Sequence, residues 1–133
     1  MIYDAKMTEL EKRIELTAVE VFLKSIELLG GLNKLAQHRN LTWLASLARA
    51  CIAIVLKEDY LKNEESIAEY LGISSATVRN MLKADVETVK KRLEDLDKFS
   101  EEEKGELKTH IAGAVAKLAY EIVKRQRNDG GSV

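Results

Sequence analysis

Apolar residues in this chain recur at intervals of three and four positions, and no proline interrupts them in 133 residues. This spacing places apolar side chains along one face of an α-helix, whereas a half-buried strand needs strict alternation. Hydrophobic residues make up 46% of the chain and charged residues 32%, enough for both a core and a solvated surface. We therefore predict one all-α domain over residues 1–133, with five to seven helices.

A long first helix is predicted from Thr8 to Leu29. Thr8 and Glu11 have the spacing of a capping box at its start, and two glycines follow its end. Besides one apolar stripe, this helix carries further apolar residues outside the stripe: Leu16, Val19, Leu23 and Ile26. A helix this apolar needs two surfaces to bury. It is either the central helix of the domain or half of a homodimer interface, and both alternatives stay open. We expect a homodimer, formed through this helix or through the long last helix.

A long last helix is predicted near the carboxyl end. Ser100 and Glu103 form a second capping box at its start, and the apolar spacing continues to about Arg127. Gly113 and the alanines around it make this helix slim, which allows another helix to approach it closely. The last residues, 128–133, are expected to form a flexible tail.

Residues 64–83, EESIAEYLGISSATVRNMLK, predict a helix-turn-helix: two short helices that share one core. Gly72 can take the left-handed backbone conformation at the corner, and Ser74 is a suitable N-cap for the second helix. The side chains expected to face inward are Ile67, Ala68, Leu71, Ile73, Val78 and Met81. In DNA-binding proteins the second helix of such a unit lies in the major groove.

The outward side chains of the second helix suit the recognition of DNA bases. Arg79 can donate two hydrogen bonds to guanine, and Asn80 can pair with adenine. A methyl group of Ala76 or Thr77 can contact the methyl group of thymine. We expect these four residues to face the bases of double-stranded DNA.

Other polar residues of the same helix suit the DNA backbone. Ser74, Ser75 and Thr77 lie at the helix start, where free N–H groups favour phosphate, and Lys83 adds a positive charge at the other end. Together with the base-facing residues they form the predicted DNA-binding set: Ser74, Ser75, Ala76, Thr77, Arg79, Asn80 and Lys83.

The segment IAEYLGISSATVRN, residues 67–80, resembles the helix-turn-helix of bacterial and archaeal transcription regulators. Together with the apolar residues 42–57 before it, the segment is also more weakly similar to the second cyclin-type repeat of archaeal TFB-class initiation factors. The chain lacks the paired cysteines of their zinc ribbon and has no second repeat. The resemblance implies a DNA-binding transcription regulator.

Charge supports this function only locally. The net charge of the chain is −1, whereas DNA-binding domains are usually basic. Residues 74–92 contain five basic residues (Arg79, Lys83, Lys90, Lys91 and Arg92) and only Asp85 and Glu87 as acids. Three glutamates of the first short helix oppose them: Glu64, Glu65 and Glu69. A positive surface around Arg79 favours DNA, whereas masking by these glutamates favours a helical adaptor or general transcription component that docks a protein.

Other functions find no support in the residues. His38 and His110 have no Cys, Asp or Glu at a ligand spacing, so we expect neither a metal site nor a cofactor. The single cysteine, Cys51, lies in an apolar helix and is expected to be a small buried hydrophobe. No catalytic motif is present, and no segment suits export or a membrane span. We expect a cytoplasmic protein that is not an enzyme, and no set of residues marks an effector ligand.

Overall fold

The structure is a computed structural model that describes residues 8–37, 44–87 and 101–131. Within these ranges the chain forms six α-helices and no strand. The helices are α1 (Glu9–Leu28), α2 (Gly31–Gln37), α3 (Leu44–Glu58), α4 (Glu64–Leu71), α5 (Ser75–Leu82) and α6 (Glu101–Gly131). The predicted all-α class is therefore confirmed for the described residues.

The first helix begins where its capping box predicts. The Thr8 side chain accepts a hydrogen bond from the backbone N–H of Glu11 at 3.1 Å, and the Glu11 carboxylate accepts one from the Thr8 N–H. Two glycines with positive φ, Gly30 and Gly31, follow the helix and turn the chain into α2. The second predicted box, at Ser100, lies outside the described residues.

The centre of the fold is α3, which packs against both α1 and α6, while α1 also packs against α6. Its buried residues are Leu47, Ala50, Cys51, Ala53, Ile54, Val55 and Leu56. Burying one large aliphatic side chain contributes about 1.5–3 kcal/mol, so this helix is a main source of stability. The pair α4 and α5 packs on α3, and α5 also packs on α6.

The prediction that α1 is the central helix of the domain is wrong. This helix buries a single face, and α3 holds the central position. Its buried residues are Ile14, Ala18, Val21, Ser25 and Ile26. Of the four extra apolar residues, only Ile26 is buried, and Leu16, Val19 and Leu23 face solvent. Side chains about 180° away from the core cannot reach it around a helix. The homodimer alternative stays a prediction.

The slim part of α6 allows the close approach that its small residues predict. Residues 111–116 are all buried, and a Cβ atom at Gly113 would clash with the carbonyl oxygen of Met81. Next to this contact, the Lys117 ammonium donates a hydrogen bond to the Ala84 carbonyl at 3.1 Å. Burial, reinforced by Lys57, lowers the pKa of Lys117. The close approach at Gly113 and the Lys117 side chain thus hold the carboxyl end of α5 against α6.

Further along, α6 is tied to two other parts of the fold. Asp59 accepts a hydrogen bond from the Tyr120 hydroxyl at 2.5 Å and forms an ion pair with Lys124 at 3.0 Å. Burial raises the pKa of Tyr120, and the hydrogen bond to Asp59 adds to this effect. Arg127 forms an ion pair with Glu20 of α1 at 2.6 Å. These contacts hold α6 against the end of α3 and the middle of α1.

The last helix is longer than predicted, since α6 ends at Gly131 instead of near Arg127. Extending an existing helix adds one backbone hydrogen bond per residue without a new nucleation cost, so a polar sequence with glycines can continue it. Part of the segment 128–133 is therefore helical, while residues 132–133 lie outside the described part. Its flexibility stays a prediction.

Cys51 is buried in the core with only 1% of its surface exposed. Burial raises the pKa of its thiol from 9.0 to about 12, and a contact with the Ser25 hydroxyl at 3.8 Å partly opposes this shift. Such a shift lowers the thiolate fraction at pH 8 about a thousandfold. The residue is a small buried hydrophobe, as the sequence predicts.

We therefore expect Cys51 to resist alkylation by iodoacetamide at pH 8 in the folded protein. In denaturant the same thiol should react fully, because both its burial and its raised pKa are lost. Mass spectrometry of the intact chain measures the labelled fraction over time. Labelling of the folded protein as fast as that of the denatured protein would contradict the buried position.

Candidate nucleic-acid interface

The pair of helices α4 and α5 is fixed by local capping at three points. Asn63 caps α4, because its side chain accepts a hydrogen bond from the Ser66 N–H at 2.8 Å. Gly72 ends α4 with φ 69° and ψ 33°, the left-handed conformation that glycine adopts at little cost. Ser74 caps α5 by accepting from the Thr77 N–H at 3.1 Å. The corner and the second cap agree with the prediction, whereas the Asn63 cap was not predicted.

The side chains predicted to face inward do so. Four of them are buried, Ile67, Ala68, Val78 and Met81, and two are half-buried, Leu71 and Ile73. Leu82 and Ala84 join the same core. The rotation of α5 about its axis is therefore fixed by its buried face, and this determines which residues meet solvent.

All seven residues of the predicted DNA-binding set reach the solvent. Ser74, Ala76, Arg79, Asn80 and Lys83 are exposed, while Ser75 and Thr77 are half-buried. Ser75, Arg79 and Lys83 line one open cleft. Ala76 and Asn80 each follow one of these residues in the sequence, so they lie on the neighbouring strip of the helix surface. The three basic residues predicted further along, Lys90, Lys91 and Arg92, lie outside the described residues.

The hydroxyl groups at the start of α5 are hydrogen-bonded to each other. The Ser74 and Thr77 oxygens lie 2.8 Å apart, and either hydroxyl can be the donor. Whichever one donates, the other still has its own proton free of this bond and can donate it outward. The start of α5 therefore offers one hydroxyl donor in addition to its backbone N–H groups.

Arg79, the main base-reading residue of the prediction, forms an ion pair with Glu64 at the start of α4. Its Nε donates to a carboxylate oxygen of Glu64 at 3.0 Å. The Arg79 side chain is 56% exposed and the Glu64 side chain 39% exposed. An ion pair this open to water contributes about 0–1 kcal/mol, so another anion can replace the glutamate.

The cleft beside α5 has a volume of about 550 Å³ and carries more positive than negative charge. Four cations line it, Lys57, Lys62, Arg79 and Lys83, against the two acids Glu64 and Glu65. The net charge of this lining is +2, and Glu58, just outside the lining, forms a weak exposed ion pair with Lys57 at 3.9 Å. Such a cleft attracts anions, and water-exposed lysines suit phosphate as point charges.

Two of these cations, Lys57 and Lys62, lie outside the helix-turn-helix segment and do not belong to the predicted DNA-binding set. Lys57 lies in the last turn of α3, and Lys62 lies in the linker to α4, where its N–H donates to the Leu56 carbonyl at 3.0 Å. The linker turns at Leu61, which has a φ of 52°. Their only signal in the sequence is that they closely precede the helix-turn-helix segment. This position does not show on which side of α5 the two lysines lie.

Among the described residues, no group of three or more His, Cys, Asp and Glu side chains is arranged to hold a metal ion. In the same part of the chain, no helix combines the length and the apolar character needed to cross a membrane. Comparison with protein-family models, with curated proteins and with solved structures found no match to this chain. We therefore infer a function from the α4–α5 pair and its cleft.

Proposed function

We propose that this protein is a cytoplasmic DNA-binding transcription regulator in which α5 enters the major groove. The observation that carries the proposal is the basic cleft along the exposed side of α5, where Lys57 and Lys62 from other elements lie beside Arg79 and Lys83. A local positive surface is what binding to phosphate requires, even in a protein whose net charge is slightly negative.

The proposed roles follow from position along α5. Arg79 and Asn80 read base edges, since each can make two hydrogen bonds to one base. Ser75, Thr77 and Lys83 hold phosphates, which fixes the depth and the direction of the helix in the groove. Ser74 and Ala76 complete the contact surface at the start of the helix. Lys57 and Lys62 extend the phosphate contacts beyond α5 itself.

Glu64 sets the strength of this binding. Arg79 has to exchange its ion pair with Glu64 for contacts with DNA, and the glutamate then remains near the phosphates. The pair is exposed and weak, so the exchange costs little, but the remaining negative charge lowers affinity. We therefore expect modest affinity that falls steeply with salt.

Replacement of Lys57 and Lys62 by glutamine is expected to weaken binding to duplex DNA of any sequence. Removing one lysine–phosphate interaction should make the plot of log affinity against log salt about 0.9 less steep, so removing both changes the slope by about 2. Fluorescence anisotropy with a labelled duplex at several salt concentrations measures this slope.

Lys34→Gln is the matched control, because Lys34 is exposed on α2 and does not line the cleft. It should leave the slope unchanged. Equal slopes for the wild type, the double variant and the control would contradict a role for the cleft in binding DNA.

A second candidate function is that of a helical adaptor or general transcription component whose α4–α5 pair docks a protein. The observation in its favour is the ion pair of Glu64 with Arg79, since it partly masks the base-reading residue. The same anisotropy measurement separates the two functions. If the wild type fails to bind duplex DNA even at low salt, the adaptor function takes its place.

A further inference from the structure

The outer face of α1 carries a row of exposed apolar side chains directly opposite its buried face. Leu16 is 68% exposed, Val19 44% and Leu23 60%; we call these three residues the α1 stripe. At 100° per residue, the stripe lies on the other side of the helix from Ile14 and Val21. Single exposed leucines are common on protein surfaces, but three apolar side chains in one row form a surface suited to a partner.

We propose that the α1 stripe binds the α1 stripe of a second copy of this chain, with the two helices antiparallel. The charges around the stripe specify this partner. Lys12 lies one turn before Leu16, and Glu27 lies one turn after Leu23. When Leu16 faces Leu23 of the second copy, Lys12 faces Glu27 of that copy, and twofold symmetry repeats both pairings.

The opposite orientation of the two helices is disfavoured by the same charges. In a parallel pair Lys12 would face Lys12 of the second copy, and Glu27 would face Glu27. Within one copy Lys12 pairs with Glu9 at 3.7 Å and Glu27 pairs with Lys24 at 2.6 Å. The Lys12 side chain is 52% exposed and the Glu27 side chain 64% exposed, so these weak pairs can be exchanged for contacts across an interface. Opposite charges at the rim of an interface fix its register and orientation.

The charges near the centre of the antiparallel pair also permit this arrangement. The twofold axis passes between Val19 and Glu20, so the two copies of Glu20 come near each other. Arg127 already pairs with Glu20 at 2.6 Å and neutralises its charge. The buried face of α1 packs against α3 and α6. The stripe therefore faces away from the interior of the fold, and none of its three residues lines the cleft beside α5.

Sedimentation velocity of the full chain, without DNA, tests the dimer over a range of protein concentrations. Wild type should pass from monomer to dimer, and Leu16→Ser with Leu23→Ser should raise the dissociation constant about tenfold or more, because the interface then buries less apolar surface. Leu61→Ser is the matched control, since Leu61 is 86% exposed but lies in the linker between α3 and α4. A monomeric wild type up to millimolar concentration, or a dimer that the double variant leaves intact, would overturn the proposal.

The antiparallel register has its own test in two charge reversals. Lys12→Glu alone and Glu27→Lys alone should each weaken self-association, because each places like charges opposite one another. An equimolar mixture of the two variants should form a heterodimer that is tighter than either variant's homodimer, since both ends of the pair then place a carboxylate opposite an ammonium group. The weakening by each single variant separates the antiparallel pair from a parallel one, in which like charges face each other before any substitution. A mixture that associates no better than either variant overturns this register. Circular dichroism confirms that each variant keeps its helices, and no outcome depends on whether the protein binds DNA.

Discussion

Gly113→Ala is expected to lower the free energy of unfolding by at least about 2 kcal/mol, the range of a badly overpacked core position. The added Cβ would clash with the carbonyl oxygen of Met81 and would lie 2.7 Å from its carbonyl carbon and Cα. These are backbone atoms near the end of α5, so no side-chain rotation relieves the clash. Alanine gains about 1 kcal/mol in helix propensity over glycine, which is too little to offset a forced separation of α5 and α6.

Urea denaturation followed by circular dichroism measures this loss. Asn128→Ala is the control in the same helix, because Asn128 is exposed and its replacement should change stability little. A Gly113→Ala protein as stable as the wild type, or more stable, would mean that helix propensity alone decides at this position. The close contact between α6 and Met81 would then be wrong.

The double variant Arg79→Ala with Asn80→Ala is expected to lose the ability to distinguish DNA sequences. A good two-bond contact to a base contributes about 1–3 kcal/mol of discrimination, so the pair should contribute about 2–6 kcal/mol. Both side chains are exposed, and within the fold the double variant removes the weak ion pair with Glu64. The stability of the fold should therefore be nearly unchanged.

The measurement is the ratio of dissociation constants for a preferred duplex and a scrambled one. This ratio should approach one in the double variant, while Arg49→Ala should keep the wild-type ratio. Arg49 is a matched control, since its replacement removes the same charge from an exposed position on α3. An unchanged ratio in the double variant would show that other residues read the bases.

Local signals in the sequence predict local structure well in this chain. The capping box at Thr8, the corner at Gly72 and the cap at Ser74 all follow from interactions within a few residues. Each needs only one side chain and a nearby backbone group, so the residue type and its position are enough. For the same reason the inward and outward faces of α5 follow from its spacing.

Features that join distant parts of the chain could not be predicted in this way. Arg79 pairs with Glu64 fifteen positions away, and Lys57 and Lys62 join the cleft through the path of the linker after α3. The small residues around Gly113 predict a close approach but do not say that the neighbour is Met81. Such contacts depend on how the helices pack, which spacing along one helix does not determine.

The most direct test of the DNA-binding proposal is selection by the purified protein from a pool of random-sequence duplex DNA at low salt. We expect enrichment of a short motif whose bases fit an arginine and an asparagine side by side, with guanine next to adenine. Retained DNA without any enriched motif, or no retained DNA at all, would contradict the proposal that α5 reads sequence.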